Sequence, residues 1–150
     1  MQQFNTYVLV LQAEKMTQIT WSPDGTLLVS GSQDGSIAIW DVESGELVRT
    51  LNGHTKTVTT LAWSPDGTLL ASGSQDGCIR IWDVTKGETL MVIVGQKKIQ
   101  FVSWSPDGTR LCSLTAEKKL QVWRREPVDL SALPLAFESS GSFETRRSKN

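Results

Sequence analysis

The chain of 150 residues contains a single histidine, His54, whose imidazole could serve as a general base. With Ser72 and Asp76 it would supply the three residue types of a Ser-His-Asp hydrolase triad. A hydrolase serine of this kind occupies a sharp Gly-x-Ser-x-Gly turn beside backbone donors for an oxyanion, and Ser72 lies in no such segment. The sequence therefore predicts that these residues are not catalytic, and we expect the protein not to be an enzyme.

Residue types that bind metal ions are few and scattered. A zinc site needs three or four convergent ligands, and one histidine with Cys78 and Cys112 cannot supply them. Both cysteines fall in predicted strands, where small buried thiols in a reducing compartment are expected. The recurring aspartates Asp24, Asp66 and Asp107 each follow Ser-Pro and precede Gly, which is typical of turns rather than of calcium loops. We therefore expect neither a metal ion nor a cofactor.

The overall charge is nearly balanced, with 15 basic and 16 acidic residues. Such a balance does not favour binding to nucleic acid or to an anionic membrane surface. No apolar run approaches the roughly 18–20 residues of a membrane span. No basic residue precedes the short apolar stretch Tyr7–Leu11, as one would in a secretory signal. These features favour a cytoplasmic protein.

All six tryptophans belong to two series of positions that repeat at nearly the same interval. The pentapeptide Trp-Ser-Pro-Asp-Gly begins at Trp21, Trp63 and Trp104, and a second tryptophan follows each of them at Trp40, Trp82 and Trp123. A period of about 40–45 residues that carries a Trp-Asp dipeptide is typical of a β-propeller blade, which is a sheet of four antiparallel strands. The sequence therefore predicts an all-β fold with three blades.

The middle repeat shows its four strands most clearly. Alternating and β-branched residues predict strands at Val58–Trp63, Leu69–Ser74, Cys78–Asp83 and Thr89–Val94. Proline, aspartate and glycine within 64–67 favour a tight reversal, and the Asp-Gly step of the next hairpin tolerates positive φ. Each strand should therefore pair with the next through a short local turn.

The first repeat is nearly identical to the middle one, and the third has drifted. Between Trp21–Asp41 and Trp63–Asp83 the only differing pairs are Val29/Ala71, Ser36/Cys78 and Ala38/Arg80. In the third repeat the hairpin Thr115–Lys119 has lysine in place of glycine, and the dipeptide is Trp123-Arg124. A lysine held at positive φ costs about 1 kcal/mol relative to glycine. We therefore expect the third blade to be the least stable.

These residues resemble the WD40 repeat family over roughly residues 5–123. The resemblance implies WD40-type β-propeller blades, here three four-stranded antiparallel blades of an incomplete propeller. It also implies a hydrogen-bonded network in each blade between a histidine, a serine or threonine, an aspartate and a tryptophan. In the middle repeat the matching residues are His54, Ser72, Asp76 and Trp82.

The other two repeats match this network only in part. The first repeat keeps Ser30, Asp34 and Trp40 but has Gln12 in place of the histidine. The third repeat keeps Ser113 and Trp123, with Glu117 for the aspartate and Gln96 for the histidine. We therefore expect one complete network and uneven stability among the blades.

The repeats divide the chain into blades and two ends. Residues 1–11, with a strand at Asn5–Leu11, are predicted to be the outer strand of a preceding blade, and the three blades follow at 12–51, 52–94 and 95–137. Leu133–Phe137 is the candidate outer strand of the third blade, since its proline is tolerated at a sheet edge. The alternative for that position is the amino-terminal strand of a second molecule. The Ser-rich segment 138–150 is predicted to be a disordered tail.

Three blades cover only part of a circle, because closed propellers have about 4–8 blades. Two apolar flanks would remain exposed, and exposed flanks favour association with further sheet. One hypothesis is a head-to-tail ring of two copies, with three blades from each, or a ring completed by another WD40 segment. The alternative is that the chain is a truncated remnant or sensor segment of a larger WD40 signalling protein.

The resemblance implies a non-catalytic scaffold whose partners are other proteins. The predicted protein-binding face follows the loops before the inner strands and the second hairpins, through Glu14–Gln18, Gln33, Thr55–Thr57, Gln75, Lys97–Ile99 and Ala116. Its polar members are Lys15, Gln18, Gln33, Thr55, Lys56, Thr57, Gln75, Lys97 and Lys98. Because this face has no aromatic anchor, the sequence does not identify the partner.

Overall fold

A computed structural model of the protein describes residue 11 and residues 14–95, 97–126 and 142–145. These residues form twelve strands and contain no helix. The strands are β1 (Met16–Trp21), β2 (Leu27–Ser32), β3 (Ile37–Asp41), β4 (Leu47–Leu51), β5 (Val58–Trp63), β6 (Leu69–Ser74), β7 (Ile79–Asp83), β8 (Glu88–Ile93), β9 (Ile99–Trp104), β10 (Arg110–Thr115), β11 (Leu120–Glu126) and β12 (Ser142–Thr145).

The strands pair in chain order into three antiparallel sheets of four. Sheet 1 contains β1–β4, sheet 2 contains β5–β8, and sheet 3 contains β9–β12. The all-β class and the three four-stranded units predicted from the repeats are therefore confirmed. In sheet 2, β5 and β6 have the predicted bounds, whereas β7 and β8 each differ from the prediction by one residue at an end or at both ends.

The Ser-Pro-Asp-Gly segments form the tight turns that end each inner strand. In sheet 2 the Asp66 carboxylate accepts hydrogen bonds from the Thr68 amide at 3.0 Å and from the Thr68 hydroxyl at 2.8 Å, and Gly67 has a φ of 76°. The same bonds recur at Asp24 and Asp107. The Ser105 hydroxyl with the Thr109 bonds holds the pKa of Asp107 at about 2, and the Thr26 bonds with the Ser22 hydroxyl hold the pKa of Asp24 at about 2. The turn role predicted for these aspartates is thus observed.

The second hairpins also have the predicted backbone. Gly35 has a φ of 90° and Gly77 a φ of 83°, and Lys118 takes the same place in sheet 3 with a φ of 68°. Glycine adopts this left-handed region without strain, whereas a lysine does so at a cost. The lysine in the drifted repeat is therefore held in a glycine conformation.

The apolar core lies between the sheets and consists of two clusters. Between sheets 1 and 2 lie Val29, Ile37, Ile39, Leu51, Val58, Leu61, Leu70, Trp82 and Val84. Between sheets 2 and 3 lie Leu69, Ala71, Ile79, Ile81, Ile93, Ile99, Val102, Trp104, Leu111 and Trp123. Successive residues of a strand point to opposite faces, so sheet 2 contributes to both clusters. Sheet 2 therefore presents one face to sheet 1 and the other to sheet 3, whereas sheets 1 and 3 each pack one face against sheet 2.

The outer part of sheet 3 differs from the prediction. The third strand of this sheet continues past Trp123 to Glu126, and its edge pairs with β12 from Trp123↔Thr145 to Glu126↔Ser142. The prediction of disorder is therefore wrong for 142–145. An unpaired strand edge offers backbone donors and acceptors that a short segment with phenylalanine and threonine can satisfy. The proposed outer strand at Leu133–Phe137 lies outside the described residues, as does most of the one at Asn5–Leu11.

The outer rims of sheets 1 and 2 are joined by one arginine. The Arg49 guanidinium of β4 donates hydrogen bonds to the carbonyl oxygens of Thr85 and Lys86, each at 3.0 Å.

The two cysteines that were predicted to be buried, Cys78 and Cys112, are half-buried and form no disulfide.

The described part of the chain holds no helix with the length and apolar character that crossing a membrane requires.

Candidate functional sites: a polar network, a loop face and an open flank

Sheet 2 contains a chain of hydrogen bonds that runs through the only histidine. The indole Nε1 of Trp82 donates to Ser72 Oγ at 2.8 Å, and Ser72 Oγ lies 2.7 Å from His54 Nε2. On the other side of the ring, His54 Nδ1 lies 2.9 Å from Asp76 Oδ2. These distances fit one direction of donation, from indole to serine, from serine to Nε2, and from Nδ1–H to the carboxylate. The structure thus brings the four predicted residues together.

The network ties separate parts of sheet 2 to one another. Ser72 lies in β6 and Trp82 in β7, whereas Asp76 lies in the hairpin between these strands. The backbone amide of Cys78 donates to Asp76 Oδ1 at 2.8 Å, and the amide of Thr55 donates to Asp76 Oδ2 at 3.0 Å. One carboxylate therefore fixes the hairpin to the loop that precedes β5.

Burial sets the charge states within the network. The His54 side chain has no exposed surface, and this burial lowers the pKa of the imidazole, although Asp76 acts in the opposite direction. For Asp76, burial acts to raise the pKa of the carboxyl, but the hydrogen bonds from Cys78, His54 and Thr55 outweigh it and leave the pKa lowered. The resulting pair is a neutral histidine and an ionised aspartate. Both ring nitrogens are already engaged and Ser72 is fully buried, so no substrate can reach the serine.

Among the described residues of sheet 1, the network is reduced to one hydrogen bond. Trp40 Nε1 donates to Ser30 Oγ at 3.2 Å, as the resemblance implied. The carboxylate of Asp34 instead accepts hydrogen bonds from the Ser36 amide at 2.8 Å and the Ser36 hydroxyl at 2.6 Å, and no histidine links it to this pair. Gln12, which stands at the histidine position, lies outside the described residues.

Sheet 3 is similarly reduced. Trp123 Nε1 donates to Ser113 Oγ at 3.0 Å in a buried setting. Glu117, which was expected to replace the aspartate, is instead exposed, with its carboxylate 4.0 Å from Lys97 Nζ. This repeat has no histidine for the Glu117 carboxylate to bind, and the glutamate side chain, one methylene longer than aspartate, stays in solvent. Gln96 lies outside the described residues.

The predicted loop face is continuous across sheets 1 and 2. The amide of Gln33 donates to the carbonyl of Lys15 at 3.0 Å, and the amide of Gln75 donates to the carbonyl of Thr57 at 3.0 Å. The Thr57 hydroxyl donates to the carbonyl of Gln33 at 3.2 Å and so joins the two sheets. In sheet 3 the amide of Ala116 donates to the carbonyl of Lys98 at 2.8 Å. These bonds place the second hairpins beside the loops before the inner strands.

Most members of that face are available to solvent. Thr57 is half-buried, and the exposed members are Lys15, Gln18, Gln33, Thr55, Lys56, Gln75, Lys97 and Lys98. Four positions differ from the prediction. Met16, Thr17 and Gln18 belong to β1. Ile99 is 1% exposed because it packs between sheets 2 and 3. The face is therefore narrower than the sequence indicated.

The outward face of sheet 1 is an apolar surface that sequence analysis expected in general terms but did not assign to residues. Met16, Ile19 and Trp21 of β1 are 37%, 58% and 55% exposed. With Leu11 they line a cavity of about 320 Å³ whose other walls are Leu28, Ser30, Trp40 and Val42. We call Met16, Ile19, Trp21, Leu28, Trp40 and Val42 the first-sheet flank.

The same positions are covered in the other two sheets. The counterparts of Ile19 are Leu61 and Val102, which are 6% and 1% exposed because the preceding sheet packs on them. Aligning the three repeats would have identified the flank residues, because their counterparts form the two core clusters. The outward face of sheet 3 is also open, and its exposed apolar residues, Phe101, Leu120 and Val122, lie on what we call the third-sheet flank.

Comparison with protein families agrees with this architecture. The family described as "WD domain, G-beta repeat" matches residues 45–83 and 87–124, which together are more than half of the chain. The family described as "Anaphase-promoting complex subunit 4 WD40 domain" matches residues 9–59. The matched ranges include parts of all three sheets.

Individual relatives match shorter segments. The nuclear distribution protein PAC1-1 of Uncinocarpus reesii is 49% identical over 53 residues, which cover 35% of this chain and 12% of that protein. The NACHT domain- and WD repeat-containing protein 1 of Mus musculus is 49% identical over 43 residues, which cover 29% of this chain and 3% of that protein. The similarity thus spans a small part of the length of these relatives.

A solved structure shares the fold over nearly the whole chain. The β-propeller domain of Cps50 (Swd1) from Myceliophteria thermophila has a TM-score of 0.74 at 22% sequence identity, and the match covers 93% of this chain and 41% of that one. Together with the family matches and the three four-stranded sheets, this likeness shows that the chain belongs to the WD40 repeat family and that its sheets are β-propeller blades.

Proposed function

We propose that the chain is a non-catalytic protein-interaction scaffold whose first-sheet flank accepts a further propeller blade. The supplier of that blade is a second copy of the chain, in a ring of three plus three blades, or another WD40 segment. The observation that carries the proposal is the exposure of Met16, Ile19 and Trp21 at positions where sheets 2 and 3 are covered by a preceding sheet.

Burial of apolar surface supplies the driving force for such docking. Removing apolar surface from water stabilises by roughly 25 cal/mol per Å², and contiguous apolar patches on soluble proteins commonly mark interaction sites. Within the chain, the faces that cover these positions come from sheets of the same kind. A blade is therefore the shape that best complements the flank.

The buried network supports a structural rather than a catalytic role for His54. Its ring nitrogens are both hydrogen-bonded, its side chain has no exposed surface, and the neighbouring Ser72 is fully buried. A general base must reach the proton that it abstracts from a substrate. The network instead holds together a loop, a hairpin and two strands.

The loop face is the second surface in this proposal, and it would bind protein partners. Its exposed lysines lie near carboxylates, with Glu117 beside Lys97 and Asp34 near Lys15, so the field of one sign is reduced. Such a mixed polar surface suits a protein partner better than nucleic acid or a membrane. The two free, half-buried cysteines are consistent with a reducing cytoplasm as the compartment.

A second candidate is a sensor segment or remnant of a larger WD40 signalling protein. The observation that favours it is the similarity to a NACHT domain- and WD repeat-containing protein, of which the match covers 3%. In such a protein, the blade that covers the first-sheet flank would belong to the same polypeptide. The flank would then have an internal role, and the loop face alone would bind partners.

Light scattering on the full chain tests the first proposal. If a second copy supplies the blade, the mass of the wild-type chain rises above 16.6 kDa with concentration, whereas it stays at that mass if the blade comes from another WD40 segment. The Ile19→Asp variant should remain at the monomer mass, because a charge on the flank would be buried without a partner. The control is Val94→Asp, which alters an exposed valine away from the flank and should behave as wild type. A wild-type chain that stays monomeric, with no change in Ile19→Asp, would contradict self-association through this flank.

A further inference from the structure

The two junctions between sheets depend on glycine at one register position. Gly31 of β2 lies against Val58 of β5, and Gly73 of β6 lies against Ile99 of β9. A Cβ atom added at Gly31 would lie 2.7 Å from Val58 Cγ1, and one added at Gly73 would lie 2.4 Å from Ile99 Cγ2. Carbon atoms pack at about 3.5–4.0 Å. A following sheet can therefore approach only where this position has no side chain.

Sheet 3 has a leucine at this position. Leu114 pairs with Phe101 and Leu120, just as Gly73 pairs with Thr60 and Ile79 in sheet 2. A following sheet in the same geometry would place its inner strand against this leucine. The third-sheet flank is therefore blocked where the two internal junctions are closest.

A second point of close approach is also filled in sheet 3. A Cβ atom at Gly35 would lie 2.4 Å from the carbonyl oxygen of His54, so the hairpin of sheet 1 touches the backbone of the loop before β5. Lys118 occupies the matching hairpin position of sheet 3 with a similar backbone. Its Cβ atom would meet the corresponding loop of any following blade. Two independent contacts therefore oppose the same mode of docking.

The threonine hydroxyls that join the sheets are missing from the third-sheet flank. The hydroxyls of Thr17 and Thr59 each donate to the first backbone carbonyl of the following inner strand. The residue of sheet 3 that corresponds to Thr17 and Thr59 is Gln100, whose side-chain oxygen lies 3.3 Å from Lys118 Nζ. The Thr60 hydroxyl accepts a hydrogen bond from the amide of Val102 at 3.1 Å. The corresponding residue of sheet 3 is Phe101, whose side chain has no hydrogen-bond acceptor.

The first-sheet flank keeps the pattern that receives a preceding blade. In the junction between sheets 2 and 3, Trp104 Nε1 donates to the carbonyl of Ala62 at 2.9 Å, whereas Trp63 Nε1 has no such partner in the junction between sheets 1 and 2. Trp21 presents the same indole on the open flank. Met16 stands where Val58 and Ile99 contact the glycines, and its unbranched side chain fits a glycine opposite.

We infer that the first-sheet flank is a docking surface for a propeller blade with glycine at the Gly31 position, glycine at the Gly35 position and a threonine hydroxyl at the Thr17 position. This inference rests on the proposed function and chooses between its suppliers. A second copy can offer only its third sheet, which has Leu114 and Lys118 at these positions. The favoured occupant is therefore a blade from another WD40 segment.

Isothermal titration calorimetry on full-length chains tests this choice. The wild-type chain is titrated with a restored probe, Ile19→Asp/Leu114→Gly/Lys118→Gly, whose own first-sheet flank is disabled and whose third sheet has both glycines. The matched probe carries Ile19→Asp alone. We expect the restored probe to bind the wild-type chain at least about tenfold more tightly, because overpacking at the junction is relieved. An Ile19→Asp receptor should bind neither probe.

Thermal melting first establishes that each probe is folded. If Leu114→Gly unfolds the third sheet, the probe Ile19→Asp/Lys118→Gly takes its place, and it should still bind more tightly than Ile19→Asp alone. Equal binding by the restored and matched probes would overturn the preference for glycine and leave the proposed function standing. Absence of binding by both folded probes would overturn the docking surface itself and the proposed function with it.

Discussion

Sheets 2 and 3 have corresponding strand pairings but differ in the polar residues inside them. In both, an indole of the third strand donates to a serine of the second, from Trp82 to Ser72 and from Trp123 to Ser113. In sheet 2 the chain of hydrogen bonds continues through His54, whereas in sheet 3 it ends at the serine. The comparison shows that turn residues and strand pairing suffice to form a blade, and that the network is an addition that fixes a loop and a hairpin to it.

The drift of sheet 3 leaves its face towards sheet 2 apolar. The face towards sheet 2 keeps the apolar pattern, with Ile99 and Val102 buried. The changes at Phe101, Leu114 and Lys118 lie where a following blade would dock. Changes of this kind disturb no existing contact, so sheet 3 can diverge there without loss of the junction that it does form.

The largest expected difference between the two sheets comes from removing the central serine. Ser72→Ala would leave the Trp82 indole N–H without an acceptor and His54 Nε2 without a donor, so we expect a loss of about 2–4 kcal/mol in the free energy of unfolding. Ser113→Ala orphans only the Trp123 indole and should cost about 1–2 kcal/mol. Urea denaturation monitored by tryptophan fluorescence measures both, and equal losses would show that the histidine branch contributes nothing.

A smaller effect should appear as a dependence of the free energy of unfolding on pH, which only sheet 2 can cause because its network contains the only histidine. The unfolded histidine takes up a proton near its ordinary pKa of 6.5, whereas burial lowers the pKa of folded His54. Protonation therefore favours the unfolded chain, and the stability present above pH 6.5 should decline as the pH falls below that value. The carboxyl of Asp76 titrates below its ordinary pKa of 3.8 and adds its own loss only at lower pH.

The urea midpoint measured between pH 7.5 and 5 provides the test of this pH dependence. The control is His54→Gln, which should be less stable at neutral pH and should lose the dependence in this range. A wild-type midpoint that stays constant over the same range would mean that the pKa of His54 is the same in the folded and the unfolded chain, and would contradict the lowered pKa.

The smallest expected effect is a gain in sheet 3. Lys118→Gly removes a side chain from a residue with a φ of 68° and should stabilise the chain by about 1 kcal/mol. Lys119→Gly is the matched control, since it adds a flexible residue beside the turn without relieving a positive φ, and it should not stabilise. Differential scanning calorimetry compares the two variants, and a lower melting temperature for Lys118→Gly would contradict the strain.

Sequence reasoning was most accurate where turn chemistry bounds a strand. The limits of β5 and β6 followed from the Ser-Pro-Asp-Gly segment between them, and the positive φ of Lys118 followed from its alignment with two glycines. Sequence reasoning did not find β12, because the outer strand of a blade mainly pairs with the free backbone donors and acceptors at the edge of the sheet. Such a strand needs no fixed residue types or spacing, and the sequence therefore indicated Leu133–Phe137 instead.

The functional surfaces were less predictable than the fold for a related reason. The four residues of the middle network followed from the repeat pattern, but Glu117 matched in sequence without meeting a partner in space. Ile99 was placed on the loop face because loop limits cannot be read to a single residue. The sequence shows Leu114 at a position where the other two repeats have glycine. That this leucine blocks the third-sheet flank follows only from the structure, in which a Cβ atom added at Gly73 would lie 2.4 Å from Ile99 Cγ2.

Each sheet is made from strands that follow one another along the chain, and this order has a consequence during synthesis. A ribosome releases the amino-terminal part first, so sheet 1 can form before the strands of sheet 3 have been translated. Among the three sheets, Ile19 and Trp21 are therefore exposed as soon as sheet 1 forms, because neither later sheet covers them. A docking blade or a molecular chaperone that shields them can act before sheet 3 is complete.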